Sequence, residues 1–305
     1  MTLFPKNLTK PIGVVGLGLM GQSLIKRLDD ANLDVLGFDI NPQQIEKLGQ
    51  HRVTSLAKMA SSCDKILLAV FNTAQVQETL FAADGVLAHA KDPLVVICTS
   101  TCDPGEIKQI AEDVEKAGHH FFELPISGTS MQLARGDCLG LMGGSPLLCE
   151  QLSDLLDVIT PHRQYIGPAG DASKAKLAIN LVLGLHRAAL AEGLNFGVKL
   201  GLDPEKLLQT LQNSAAASSV MKIKGPLMVA RTYDKPQSKI GQSLKDFGLI
   251  ADLADHAGLM LPLAEIYIKL LQSQLQDGHG EMDNAMIYEA IYHNRLNNKP
   301  LKDGL

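Results

Sequence analysis

Residues 12 to 39 begin IGVV, pass through GLGLMG and the segment QSLIKRLDDANL, and end DVLGFD. An apolar run too short for a helix, a turn with three glycines in six residues, an amphipathic stretch and a second apolar run make a βαβ unit. That unit commits the chain to a parallel sheet, because parallel neighbours need a crossover connection. The alternation continues. DKILLAV (64–70), LVVICTS (94–100), HHFFELPI (119–126) and LGLMGG (139–144) read as strands. NPQQIEKLG reads as a helix with Asn41 as cap, Pro42 at its first position and Gly49 at its exit. Asp103-Pro104 opens another that ends at Gly118, and Ser145 caps a single helix over 145–159. From about residue 170 the strands stop. Helical segments are expected at roughly 171–200, 204–213, 240–257, 262–277 and 284–293, and the polar tail 297–305 is expected to fray.

The expected fold is therefore α/β: an N-terminal Rossmann dinucleotide-binding domain over 1–167, then an all-helical domain over 168–305 that begins with a long interdomain helix. A length of 305 residues supports two such domains. The net charge of −5 gives no reason to expect a nucleic-acid partner. No run approaching ~20 apolar residues is seen, so no membrane span is expected. The start MTLFPKNLTKPIG lacks the apolar core of a secretory signal, which places the protein in the cytoplasm. Five scattered cysteines without a CxxC are expected to be reduced, and no metal is expected.

In Gly16-Leu17-Gly18-Leu19-Met20-Gly21 the first glycine allows a tight turn. The second lets a pyrophosphate approach the backbone, and the third lets the helix pack closely on the strand. The helix N-terminus then faces the phosphates. Asp39 closes the second strand, where a carboxylate accepts hydrogen bonds from ribose hydroxyls and repels a 2′-phosphate. NAD is thus expected in preference to NADP. The alternative is a tight turn without phosphate and a solvated Asp39.

AKLAINLVLGL (175–185) has only two polar side chains, Lys176 and Asn180. They are one turn apart and share a helix face. Lys174 and Lys199 read as surface residues, but Ala172, Ala175, Leu177, Ala178 and Ile179 surround Lys176 with apolar neighbours. Desolvation moves a buried amine from ~10.4 toward neutrality, which suits proton exchange with an alcohol or carbonyl. Asn180 can hold a substrate hydroxyl or orient the amine. Packing or a salt bridge is the competing explanation. LPISGTS (124–130) offers a turn suited to a carboxylate. Lys245-Asp246 in SLKDFG reads as a solvated pair.

Taken together, GVVGLGLMG, ELPISGTSMQLARGDCLGLMGG, GDASKAKLAIN and KDFGL, in this order over about residues 11 to 295, resemble the β-hydroxyacid dehydrogenase family. The resemblance implies an NAD(P)-dependent oxidoreductase. It makes Lys176 the general acid/base with Asn180 holding substrate beside it. Ser127, Gly128 and Thr129 would bind the substrate carboxylate. Gly16, Leu17, Gly18, Leu19, Met20, Gly21 and Asp39 would bind the dinucleotide. Val70, Phe71 and Gln75 would lie in a loop at the cofactor, Thr101 by the nicotinamide ribose, and Lys245 near the cofactor with Asp246 beside it. A homodimer or homotetramer is implied, built through the helical domain. Imine reductases share the architecture but generally lack this lysine.

Four departures bear on substrate. Glu123 stands for the usual Asp, Thr129 for a glycine, Phe71 for a common proline, and 213–221 lacks the frequent tryptophan. The expected activity is NAD-dependent oxidation of a small β-hydroxycarboxylate, or reduction of the matching semialdehyde. The alternatives are an NADPH-dependent reductase of glyoxylate or succinic semialdehyde, which Asp39 opposes, and a non-catalytic NAD-binding redox sensor, which an intact Lys176/Asn180 pair opposes.

Overall fold

A computed structural model describes residues 8–46, 48 and 55–294; the expected helix exit at Gly49 and the tail 297–305 lie outside the described residues. The chain divides into two compact units, Met1–Lys176 and Leu177–Leu305.

The first unit is built on one sheet. Its strands are β1 (Ile12–Val15), β2 (Val35–Phe38), β3 (Lys65–Leu68), β4 (Val95–Cys98), β5 (His120–Glu123), β6 (Ile126–Ser127), β7 (Leu139–Gly143) and β8 (His162–Gly167). They run in the order β2-β1-β3-β4-β5-β7-β6, with β8 paired to β7. The first five pair parallel, and β7 joins β5 and β6 antiparallel. Order 2-1-3-4-5 is that of a doubly wound sheet, in which the strand order reverses between β1 and β3 and leaves a crevice at the carboxyl ends there. The helices are α1 (Leu19–Asp30), α2 (Pro42–Glu46), α3 (Leu56–Ser62), α4 (Thr73–Phe81), α5 (Val86–His89), α6 (Pro104–Lys116), α7 (Ser130–Arg135), α8 (Pro146–Gln151) and α9 (Ser153–Ile159).

Side chains alternate across a strand, and here both faces are covered. Ile12, Val14, Leu67, Val95, Ile97 and Phe122 point into one core with Leu24 and Leu28 of α1 and Leu155 of α9. Val15, Ile66, Leu68, Val96, Cys98 and Phe121 point into a second with Met59 of α3 and Ile107 and Val114 of α6. This explains why the strands read as unbroken apolar runs rather than as alternation.

Helix α10 (Asp171–Lys199) begins in the first unit and continues through the second. The second unit adds α11 (Pro204–Gln212), α12 (Ser219–Ala230), α13 (Ile240–His256), α14 (Pro262–Gln276), a 3-10 turn (Asn284–Met286) and α15 (Ile287–Tyr292). Its core gathers Leu177, Leu190, Leu194, Met228, Phe247, Ile250, Tyr267 and Leu271.

Several expectations are corrected. The segment 145–159 is two helices with Leu152 between them, so Ser145 caps only the first. Strand β8 and helix α12 were not expected; α12 carries Gly225 and Pro226, residues that weaken a helical reading. Helix α10 is, by length and composition alone, long and apolar enough to cross a bilayer, although the sequence holds no run of ~20 apolar residues. Its Leu190, Ala191 and Leu194 pack in the helical core, where a soluble helix of this composition also belongs.

Candidate active site

The carboxyl ends of β1 and β2 bring the glycine turn and Asp39 together. Gly16 has φ +89°, and a Cβ there would lie 2.5 Å from the Ala69 carbonyl oxygen. A Cβ on Gly21 would lie 1.8 Å from the Gly16 carbonyl oxygen, so only glycine lets α1 start this close to the strand. Around a Cβ on Gly18 nothing lies within 4 Å. That open backbone at the N-terminus of α1 is where a phosphate can approach. Leu17 is buried, and its N–H donates to Asp39 Oδ2 at 2.6 Å. Asn41 N–H donates to Oδ1 at 2.7 Å. Gln22 Nε2 donates to the Leu17 carbonyl at 2.9 Å and to Gln44 Oε1 at 3.0 Å. Turn and carboxylate thus form one hydrogen-bonded frame that fits a dinucleotide: open backbone for the phosphates and a fixed acceptor beside it.

Two further loops stand at the ends of β3 and β4. Ser100 Oγ donates to the Val70 carbonyl at 2.8 Å, and Asp103 N–H donates to Thr73 Oγ1 at 2.9 Å, so the loops are tied to each other. Phe71 N–H donates to Gln75 Oε1 at 2.8 Å, and Asn72 caps α4 by accepting from Gln75 N–H. Phe71 is half exposed, whereas Thr101 is buried. The Cys98 and Cys102 thiols flanking Thr101 are hydrogen-bonded to each other, which with burial pushes the Cys98 thiol well up.

Lys176 is buried, 8% exposed, in the second turn of α10. In the same unit, the Ser127–Thr129 turn leads from β6 into α7. Gly128 lies against Cys138: a Cβ there would be 2.3 Å from its Sγ. The Cys138 thiol, pushed up to about 11 by burial, is pulled back down by the charge of Lys176. Cys138 packs under the turn, its thiol donating to the Thr129 carbonyl at 3.7 Å. Thr129 differs from the expectation of a free hydroxyl and amide. Its Oγ accepts from Gln132 N–H and its N–H donates to Gln132 Oε1, a reciprocal cap that occupies the amide and leaves the hydroxyl only its O–H to donate. Ser127 and Gly128 stay partly or fully open to solvent.

In the helical unit Asn180 Nδ2 donates to Asp246 Oδ2 at 2.9 Å. The Lys245 ammonium stands 2.8 Å from Asp246 Oδ1, with side-chain exposures of 15% and 10%. The expected solvated pair is therefore a largely buried ion pair, and Asp246 fixes which way the Asn180 amide points. Asp246 was legible only as a neighbour of Lys245; nothing in the sequence ties it to a residue 66 positions away. Lys174 and Lys199 are exposed as expected, Lys174 paired with Asp171 and Lys199 over the Tyr292 ring.

Glu123 is a buried carboxylate at the end of β5, 1% exposed. Burial raises its pKa, against hydrogen bonds from Ser173, Gly170 and Ala172 that lower it.

The sequence profile of the NAD binding domain of 6-phosphogluconate dehydrogenase matches residues 11–167. That of the NAD-binding region of NADP-dependent 3-hydroxyisobutyrate dehydrogenase matches residues 170–291. The chain is 28% identical to an L-threonate dehydrogenase of Cupriavidus necator over 93% of this chain and 97% of that one. It is 26% identical to a 2-hydroxy-3-oxopropionate reductase of Escherichia coli over 92% and 96%. A crystal structure of a 3-hydroxyisobutyrate dehydrogenase from Salmonella typhimurium superposes with TM-score 0.83 at 27% identity, covering 92% of this chain and 99% of that one. The chain belongs to the β-hydroxyacid dehydrogenase family of NAD(P)-dependent oxidoreductases.

Proposed function

We propose that the protein is an NAD-dependent dehydrogenase of a small β-hydroxycarboxylic acid, or a reductase of the matching semialdehyde, with Lys176 as its general acid/base. One observation carries this reading: an amine only 8% exposed lies on the helix face it shares with Asn180, in the same unit as the solvent-open turn at Ser127–Gly128. A buried lysine away from bulk water exchanges its proton with whatever polar group is presented to it.

In the oxidative direction Lys176 Nζ takes the proton of the substrate hydroxyl as the carbonyl forms; in the reductive direction it returns it. The bound nicotinamide supplies the hydride acceptor or donor. The partly exposed Ser127 hydroxyl and the backbone of Gly128 receive the substrate carboxylate. Asn180, its Nδ2 held by Asp246, is left with its carbonyl oxygen to accept from a substrate hydroxyl. The Asp39 carboxylate, pinned by two backbone N–H groups, keeps lone pairs for ribose hydroxyls and cannot swing away from a 2′-phosphate.

A second reading, an NADP(H)-linked enzyme, draws support from the match of residues 170–291 to a profile described for an NADP-dependent enzyme. Asp39 opposes it. Steady-state assays of L-threonate, 3-hydroxyisobutyrate and 2-hydroxy-3-oxopropionate with each cofactor separate the two; a higher kcat/KM with NADP(H) would reverse the assignment. Lys176→Ala is expected to lose ~10²-fold or more in kcat while still binding NADH. Turnover at the wild-type rate removes Lys176 from the chemistry.

A further inference from the structure

Glu123 takes no part in the chemistry above, yet a carboxylate so deeply buried needs partners. They come from the start of α10. Oε2 accepts the Gly170 N–H at 2.6 Å and Oε1 accepts the Ser173 hydroxyl at 2.5 Å. The Gly170 N–H is one of the donors at a helix start that the helix itself cannot satisfy. A cap usually comes from the residue just before the helix. Here that residue is Gly170, which has no side chain, and the Asp171 carboxylate is turned to Lys174 at 2.8 Å. The cap comes instead from 47 positions earlier in the chain. It also sets a carboxyl group at the positive end of a 29-residue helix, whose dipole favours the charged form that burial disfavours.

The consequence is positional. Lys176 is three residues beyond Ser173, within the same rigid helix. Glu123 ends β5, and the chain runs straight on through Leu124 and Pro125 into β6 and the Ser127–Thr129 turn. One side chain therefore ties the start of the helix bearing the amine to the root of the segment bearing the turn. The space is made for it: Gly143, its partner across β7, would put a Cβ 2.6 Å from Glu123 Oε2. An Asp, one methylene shorter, could not span the same donors without moving α10 or β5.

We infer that Glu123 is a positioning residue: by capping the first turn of α10 from the end of β5, its carboxylate sets where the Lys176 amine lies against the Ser127–Thr129 turn. This rests on the reading of Lys176 as general acid/base. Misplacement of a reacting group by about 1 Å costs on the order of 10²-fold in rate, so the loosened helix start reads out as kcat.

Glu123→Gln keeps the volume but aims an amide N–H at the donors of α10. It is expected to lower kcat ~10-fold or more with the best turned-over acid of the panel, leaving the NADH Kd within about twofold. Hydrogen exchange of the peptide 168–178 should quicken. In the Lys176→Ala background Glu123→Gln should lower the rate no further, and Glu123→Asp should restore part of the loss. An unchanged kcat alongside faster exchange overturns the inference, as does an equal loss in the Lys176→Ala background. If Glu123→Gln does not fold, Ser173→Ala removes one donor and decides the matter the same way, with a loss of roughly 2–5-fold expected for a single hydrogen bond. If Lys176→Ala itself keeps its turnover, the acid/base reading falls. If it loses turnover and Glu123→Gln does not, only the positioning role falls.

Discussion

In the sheet unit, carboxylates answer to backbone. Asp39 is held by the N–H groups of Leu17 and Asn41, Asp103 caps α6 through Glu106 N–H, and Glu123 is held by the first turn of α10. In the helical unit the buried ones add a charged side chain, even where, as at Asp283, backbone N–H groups of Gln237 and Ala285 also donate. Lys224 Nζ reaches both oxygens of Asp283 at 2.8 Å, with side-chain exposures of 4% and 0%. Glu289 accepts from Arg231 and from the Tyr233 hydroxyl at 2.8 Å, and Asp246 is shared by Asn180 and Lys245. A sheet with open strand ends has loops and helix starts rich in free N–H groups. In the helical unit the buried carboxylates Asp283, Glu289 and Asp246 each have a cationic partner as well. Losing one partner therefore has different consequences: an unsatisfied N–H in the first unit, an uncompensated buried ion in the second.

The largest expected effect tests the second half of that contrast. Lys224→Met leaves Asp283 buried without its cation and is expected to destabilise the fold by about 3–5 kcal/mol. Urea melts measure it, and the double variant Lys224→Met/Asp283→Asn should recover much of the loss. A single-variant loss below about 1 kcal/mol would break the contrast.

Asp39→Arg tests the first half. It deprives the buried Leu17 N–H of its acceptor, a loss of roughly 1–3 kcal/mol, and removes the group that rejects a 2′-phosphate. The ratio of kcat/KM for NADP(H) over NAD(H) should rise well above tenfold relative to wild type. A stability loss as large as that of Lys224→Met, with no change in cofactor ratio, would mean that the carboxylate serves structure alone.

The smallest effect is a pH dependence. Burial, opposed by Asp283, holds the Lys224 amine down to about 8, below its ordinary 10.5. Between these values the unfolded chain binds the proton more readily than the folded one, so folding is favoured as pH rises through this window, and the gain is lost as pH falls through about 8. Wild type measured against the Lys224→Met/Asp283→Asn double variant, at pH 7.5 and 9.5, should gain relative stability at the higher pH. A relative loss would show that the ion pair outweighs burial.

Much of the sheet unit could be read from the chain. A turn such as Gly16–Gly21 works through backbone conformation, and its glycines, strand and following helix are contiguous. The Asp39 partner is only 22 residues from Leu17. Lys176 stood out because its neighbours are apolar. What could not be read were pairings across long separations: Asn180 with Asp246, Lys224 with Asp283 and Glu123 with Gly170 are 66, 59 and 47 residues apart. No local period marks such pairs. Glu123 shows in the sequence only as a departure from a familiar motif, and the cap that joins Thr129 to Gln132 is a local pairing that the motif alone does not reveal. The break at Leu152 escaped notice because 145–159 keeps a helical apolar period on both sides.

The open space above Gly18 has a practical meaning for anyone recruiting this scaffold. Methyl groups at Gly16 or Gly21 would collide with main-chain oxygen, so libraries that vary them would mostly sample unfolded protein. A methyl at Gly18 meets nothing in the protein itself. On the proposed reading, alanine there makes a decoy: a chain with room for the added methyl and with its phosphate landing filled.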